Sequence, residues 1–415
     1  MRVFHLPSHR VTTAHLGAAY PFLAAQRLEV GGVYLGQDLL SGEAFCFDAW
    51  ELYQHGLITG PNVAVLGMVG RGKSALVKSY VHRQVLFGRR AWMIDPKGET
   101  GPLCRALGAE PVRLRPGGEV RLNPLDPLPG LDGGDAVDGQ QAMLAAIAEA
   151  ALRRGLTPPE RTACELALRA AGAGGRVPTL PAAVQALLDP SPDLARSVAS
   201  DVRTLAADGR HVALELRRLC DGDLRGMFDG PTSQGLDLAA PVVALDLSAV
   251  YHSDALAIVM ACATGWLRGE LLRRDGVRRI LVIDEAWLLL RELGIARWLQ
   301  SSWKLAREYG VQGILVAHRA SDLSAAGPGE SEQVQLARGL LSDSETRVIY
   351  GQPPDELDGA RELFGLSAAE TDLVGRLRRG VALWKVGRRS YLVEHRLAVA
   401  ERPLVDTDAR TGSRA

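Results

Sequence analysis

Eight consecutive residues, Gly67-Met68-Val69-Gly70-Arg71-Gly72-Lys73-Ser74, follow the pattern G-x-x-x-x-G-K-S. Glycines at these spacings let successive backbone N–H groups turn inward around an anion, where a Cβ would block the approach. In such a cradle Lys73 neutralises the outer phosphates of a nucleotide and the Ser74 hydroxyl ligates magnesium. Taken residue by residue, the phosphate site comprises Gly67, Gly70, Arg71, Gly72, Lys73, Ser74 and Ala75. A second chemical pair, Asp284-Glu285, closes the apolar run Ile280-Leu281-Val282-Ile283. There Asp284 would hold Mg2+ through water and Glu285 would orient or deprotonate an attacking water. The same two acids also suit the start of a helix at Ala286-Trp287.

The surrounding pattern supplies what these residues need. Asn62-Val63-Ala64-Val65-Leu66 reads as a buried strand directly before the glycine-rich turn, and a helix is expected from Lys73 to about Phe87. Such a helix points its N-terminus, with its partial positive charge, at the bound phosphate. Ala91-Trp92-Met93-Ile94 is a second buried strand ending in Asp95-Pro96-Lys97-Gly98-Glu99. Asp95 and Glu99 suit a polar pocket wall, a helix cap or pairing with Lys97. Strand–helix–strand in this order predicts an α/β fold with a mainly parallel central sheet flanked by helices. Further buried strands are expected at Pro241–Asp246, Arg279–Asp284 and Gly313–Ala317, with a hairpin turning at Gly387-Arg388-Arg389.

Between residues 136 and 228 the character changes to Ala-, Leu- and Arg-rich helical spacing. Thr157-Pro158-Pro159-Glu160, Thr179-Leu180-Pro181 and Ser191-Pro192-Asp193 mark helix starts, proline sitting just inside a Ser or Thr cap. The organisation read from this is a short β-rich segment at 1–60 packed on a core domain. The core domain comprises 61–135 and 229–400, interrupted by an all-helical insertion at 136–228, and a disordered tail follows at 401–415.

Composition narrows the function classes. In 415 residues, 48 basic and 48 acidic side chains cancel, so no global field draws in nucleic acid. The five cysteines are scattered without a C-x-x-C pair, which argues for a reducing compartment and against a zinc site or disulfide framework. No apolar run approaches the roughly 20 residues that span a bilayer, and the N-terminus lacks a signal-peptide pattern. The expected location is cytoplasmic.

The Walker A pattern at Gly67–Ser74 is followed by Ile94-Asp95-Pro96-Lys97-Gly98-Glu99, Leu122-Asn123-Pro124-Leu125, a helical insertion and the Walker B end Asp284-Glu285-Ala286-Trp287. This order resembles the conjugative-transfer and type IV secretion motor ATPases of the VirB/TraC class, in the HerA–FtsK superfamily of P-loop NTPases. Tyr20-Pro21-Phe22, Gly31–Gly36, Ala306-Arg307-Glu308-Tyr309-Gly310, Leu341–Arg347 and Arg379–Gly387 extend the likeness over roughly residues 18–395.

The resemblance implies a RecA/HerA-like fold, ATP as substrate with Mg2+, and a homo-hexameric ring with nucleotide between neighbouring subunits. Arg347 would then reach the neighbour's γ-phosphate, although a loop Arg at the surface fits the sequence as well. Arg388 and Arg389 are weaker candidates for that role. At the sensor position, where the family places Gln, this chain has His318-Arg319. His318 would bond the attacking water or the γ-phosphate, or simply be satisfied at a strand end. The family also implies membrane-embedded channel proteins as partners, peripheral attachment at the membrane's inner face, and DNA or protein as cargo. Its members carry a substantial domain before the motor, where this chain has about 60 residues, so docking would fall to a streamlined form or to another polypeptide. Two further readings are a HerA/FtsK-type DNA translocase and a nucleotide-gated scaffold. For the translocase, the helical stretch offers Arg217, Arg218 and Arg225 but almost no aromatics to stack bases. Against the scaffold, Glu285 is a water-activating acid that a pure switch does not need.

Overall fold

The computed structural model describes residues 28–405 except 29, 128–133, 238–239, 254, 272–275, 291–292, 294–295, 298, 301–302, 304–307 and 325–330. Tyr20-Pro21-Phe22, Ala306-Arg307 and the tail 406–415 lie outside the described residues.

In chain order the strands are β1 (Val33–Asp38), β2 (Ala44–Phe47), β3 (Val63–Leu66), β4 (Arg90–Asp95), β5 (Val112–Arg113), β6 (Val242–Asp246), β7 (Arg279–Ile283), β8 (Val311–Ala317), β9 (Thr346–Tyr350), β10 (Val381–Val386) and β11 (Arg389–His395). They form one 11-stranded sheet in the order β2-β1-β11-β10-β9-β3-β8-β7-β4-β6-β5. From β9 to β5 every neighbouring pair is parallel. From β9 to β2 the pairs are antiparallel.

The helices that matter to the site are α1 (Ala49–Gln54), α2 (Lys73–Leu86) and α3 (Gly101–Ala106), then α4 (Gly134–Leu152), α5 (Pro158–Ala171), α6 (Leu180–Leu188), α7 (Pro192–Ser197) and α8 (Val202–Cys220). Later come α9 (Leu256–Leu271) and α10 (Ala286–Leu290).

Both faces of the parallel half are covered, which is why apolar runs rather than strict alternation dominate its strands. The period of two still decides which side each residue joins. Val63 and Val65 pack with Leu76, Val77, Tyr80 and Val81 of α2 on one face. Ala64 and Leu66 share the opposite core with Leu144, Leu166, Leu187, Leu216 and Val259 from α4, α5, α6, α8 and α9. The elements described between β5 and β6 are all helical, and their cores merge with the sheet.

Local signals in that stretch behave as read. Thr157 forms a reciprocal capping box with Glu160, and Ser191 caps α7. Asn123 ties the approach to the helices, donating to Asp126 at 2.8 Å and to the Pro178 carbonyl at 2.9 Å.

The N-terminal strands join the core through the sheet: β1 pairs with β11 and prolongs it, and residues Ala49–Gln54 are a helix capped by Asp48. Two expectations need correction. Arg347 lies on strand β9, not on a loop. The chain from 401 to 405 is ordered, with Arg402–Val405 helical and Glu401 accepting from Arg83 at 2.7 Å.

Candidate nucleotide-binding site

Strand order alone gathers the chemistry at one edge. Leu66 is in register with Ala317, so the glycine-rich loop after β3 and His318 after β8 emerge side by side. Ile283 pairs with both Leu315 and Ile94, which places Asp284-Glu285 between His318 and the turn that follows Asp95. These are the C-terminal ends of parallel strands, the usual ligand-binding edge of such sheets.

Glycine is required at two points of the loop. Gly72 has φ +114° at the N-cap of α2, a conformation closed to residues with a Cβ. Gly67 is set by packing, since a Cβ there would lie 2.4 Å from Cβ of Tyr350, a fully buried side chain on β9. The Arg71 carbonyl accepts from the Gly380 N–H at 2.9 Å, tying the loop to the entry of β10. Ser74 lines a small cavity together with Lys78, Asp95, Glu99, Thr100 and Asp284. Ala75 follows in the first turn of α2, beside the cradle.

Lys73 is 4 % exposed and folds back on its own loop. Its Nζ donates to the Gly67 carbonyl and, at 3.0 Å, to the Met68 carbonyl. It also lies 2.9 Å from Nδ1 of His318. An ammonium has no lone pair, so Nδ1 must accept and Nε2 must carry the imidazole proton. That proton points at Glu285, whose Oε1 is 2.7 Å from Nε2. The same Oε1 contacts Nζ of Lys97, and Oε2 accepts from Nε1 of Trp287 at 2.6 Å. The result is a continuous chain from Lys73 through His318 and Glu285 to Lys97.

Electrostatics divide the two acids. Burial opposes ionisation of Glu285, but the bonds from His318 and Lys97 prevail and hold its carboxyl at about 2. Asp284 goes the other way: burial, then the adjacent Glu285 charge, push it up to about 6, against the pull of Lys97. Lys73 is drawn down to about 8 by burial, despite Asp284 and Glu285. Glu285 also adopts φ +53°. For a residue other than glycine this costs about 1–3 kcal/mol, and such strain clusters at functional sites.

Asp95 has a different task. It is 3 % exposed, and its Oδ1 accepts from the N–H groups of Lys97 at 3.2 Å and Gly98 at 2.9 Å. Its Oδ2 accepts from the Thr100 N–H at 2.8 Å and the Thr100 hydroxyl at 2.7 Å. Four donors saturate the carboxylate, so Asp95 shapes the turn. Lys97 pairs with Glu285 rather than with Asp95 or Glu99, and Glu99 faces Lys78 at 3.7 Å. The contacts of Lys97 and Trp287 to Glu285 escaped the sequence reading. Pro96 and Gly98 signalled the turn, but only the adjacency of β4 and β7 brings it to Glu285.

Arg347 is not brought to the cradle of its own chain. It pairs in register with Ala64, upstream of Gly67. Its guanidinium donates to the carbonyls of Ser344 and Phe364, both at 3.1 Å, and Ser342 at 3.4 Å. It lines a cavity with Lys385, Arg388, Arg389 and Glu345 at the opposite end of the strands. Of the helical arginines, Arg217 pairs with Asp221 at 2.6 Å and Arg218 with Asp223 at 2.8 Å, so neither is an uncompensated cation.

The residues fit a divalent cation. Asp284, pushed towards protonation by burial and by its neighbour, is relieved by added positive charge, and Ser74 lines the same cavity. Among the described residues no group of three or more His, Cys, Asp or Glu is placed to hold a metal, and none of their helices is long and apolar enough to cross a membrane. A sparse protein ligand set suits magnesium, which keeps waters and phosphate oxygens in its shell.

No family model and no curated protein matches the chain. Solved structures do. VirB4 of Thermoanaerobacter pseudethanolicus is similar with TM-score 0.73 and 23% identity, over 89% of this chain and 98% of that one. The bacterial conjugative coupling protein TrwB in its unbound form aligns with TM-score 0.56 and 16% identity, over 81% of this chain and 85% of its own. TrwB in complex with ADP and Mg2+ aligns with TM-score 0.57 and 15% identity, over 83% and 87%. The chain has the fold these proteins share, and the resemblance read from its motifs holds at that level.

Proposed function

We propose that the chain is an ATP-hydrolysing motor that powers macromolecular transfer in a conjugation or type IV secretion apparatus. The observation that carries this reading is the contact chain Lys73–His318–Glu285–Lys97 at the C-terminal edge of the parallel strands. A site for binding alone needs the cradle, Lys73 and a cation; it does not need a buried carboxylate set beside them. VirB4 and TrwB, whose fold the chain shares, point the same way.

In the step we infer, a water oxygen attacks the γ-phosphorus and the bond to the β,γ-bridging oxygen breaks. The electron pair stays on the departing diphosphate, and the water's proton passes to Glu285. Lys73 exchanges the Gly67 and Met68 carbonyls for phosphate oxygens, and its departure frees Nδ1 of His318 to accept from the attacking water. Mg2+, held by Ser74 and, through water, by Asp284, would neutralise charge developing on the β- and γ-oxygens. Nucleotide would lie between subunits of a homo-hexamer docked on membrane channel proteins, with DNA or protein as cargo. For Arg347 to serve the neighbouring subunit it must first release three carbonyls, so its cis anchoring role is the one assigned here.

ATPase activity measured against protein concentration, with and without DNA, tests the reading. A specific activity that rises steeply with concentration is expected for a site completed by a neighbour. Constant specific activity would reject the ring, and absence of hydrolysis at every concentration would reject the motor. Strong stimulation by DNA would favour the DNA translocase.

A further inference from the structure

The site contains a second cation that the proposed mechanism has not used. Lys97 sits in the turn after β4, and its backbone is fixed because Asp95 accepts from the N–H groups of Lys97 and Gly98. Its side chain is 26% exposed, while the Glu285 it contacts is 2% exposed. Glu285, then Asp284 and Tyr251, act on its charge, and Lys73 repels it. On the far side of Glu285 lies His318, and beyond His318 lies Lys73. Lys97 therefore stands across Glu285 from His318 and Lys73, at the strand edge from which the glycine-rich loop emerges.

Around the site the ammoniums of Lys73, Lys78 and Lys97 meet four carboxylates, Asp95, Glu99, Asp284 and Glu285. A triphosphate brings more negative charge than Mg2+ cancels, and Arg347 of the same chain is tied to carbonyls elsewhere. We propose that Lys97 is a γ-phosphate-contacting catalytic residue. In the empty site it pairs with Glu285; when a nucleoside triphosphate binds, it shifts to a γ-phosphate oxygen and releases Oε1 of Glu285 to face the water. An ammonium on a four-carbon stem has three donors and the reach for this exchange. Lys97 forms no covalent bond and gives up no proton. The inference rests on the nucleotide-hydrolase reading of the same site.

The test is a pair of affinities measured on the full chain with Mg2+ present, for ADP and for the β,γ-imido analogue of ATP. Lys97→Met should weaken the triphosphate analogue tenfold or more, leave ADP within twofold, and reduce turnover at least a hundredfold. A purely structural ion pair would shift neither affinity, and general damage would weaken both equally; either result overturns the proposal. Lys97→Gln, read in the same way, serves if the Met variant fails to fold. Binding of neither nucleotide by the unaltered chain would instead overturn the underlying hydrolase reading, and this inference with it.

Discussion

Replacing Asp95 by Asn separates a turn-holding role from a metal-binding one with a change of one atom. The carboxylate is buried and accepts four hydrogen bonds, two on each oxygen. Asparagine must put its NH2 group in place of one oxygen. On the Oδ1 side it would face two backbone N–H groups, neither of which can adapt. On the Oδ2 side it would face the Thr100 N–H and the Thr100 hydroxyl, and the hydroxyl can rotate to accept. The cheaper choice still loses one charge-assisted bond outright and leaves a buried N–H unpaired, a cost of about 3 kcal/mol. Urea unfolding of the nucleotide-free chain, followed by tryptophan fluorescence, measures this directly. The turn also carries Lys97, so the triphosphate-over-diphosphate preference should fall with it. A stability loss below about 1 kcal/mol, combined with weaker metal-dependent nucleotide binding, would refute the turn assignment and make Asp95 a metal ligand.

Two other perturbations test the frame. Arg347→Ala strands the three carbonyls the guanidinium now serves and should cost about 2–4 kcal/mol in urea unfolding; a change within about 0.5 kcal/mol would mean that the anchoring bonds contribute nothing. His395 is held from an ordinary 6.5 down to about 4, by burial first and then by Arg83, while Nε2 lies 2.7 Å from the Ser79 hydroxyl. Its folded-state value is depressed, so its contribution is complete above pH 6.5 and is lost as pH falls towards 4. The full span is worth about 3 kcal/mol at most. His395→Gln should flatten the acid limb of the stability–pH curve over that interval, and an unchanged limb would contradict the assignment.

How much was legible in the sequence follows the range of each interaction. The cradle, α2 and the caps at Thr157 and Ser191 depend on neighbours within a few residues, and pattern alone located them. Strands β3, β7 and β8 announced themselves because burial on both faces makes them nearly continuous apolar runs. Strand β5 has two residues and no period to detect. Strand β9 escapes the pattern because its polar approach Ser342–Glu345 and Arg347 mask the short run Val348-Ile349-Tyr350. The Lys97–Glu285 contact and the packing of Gly67 against Tyr350 depend on strand order, which no local pattern encodes.

The central claim is that Glu285 activates water on a bound nucleotide. Steady-state ATP turnover and ATP affinity, measured in parallel for the unaltered chain and for Glu285→Gln, test it most directly. The amide keeps an oxygen for His318 but cannot take a proton from water, so the account predicts turnover reduced a hundredfold or more with affinity preserved within a few fold. Unchanged turnover in the Gln variant would contradict it.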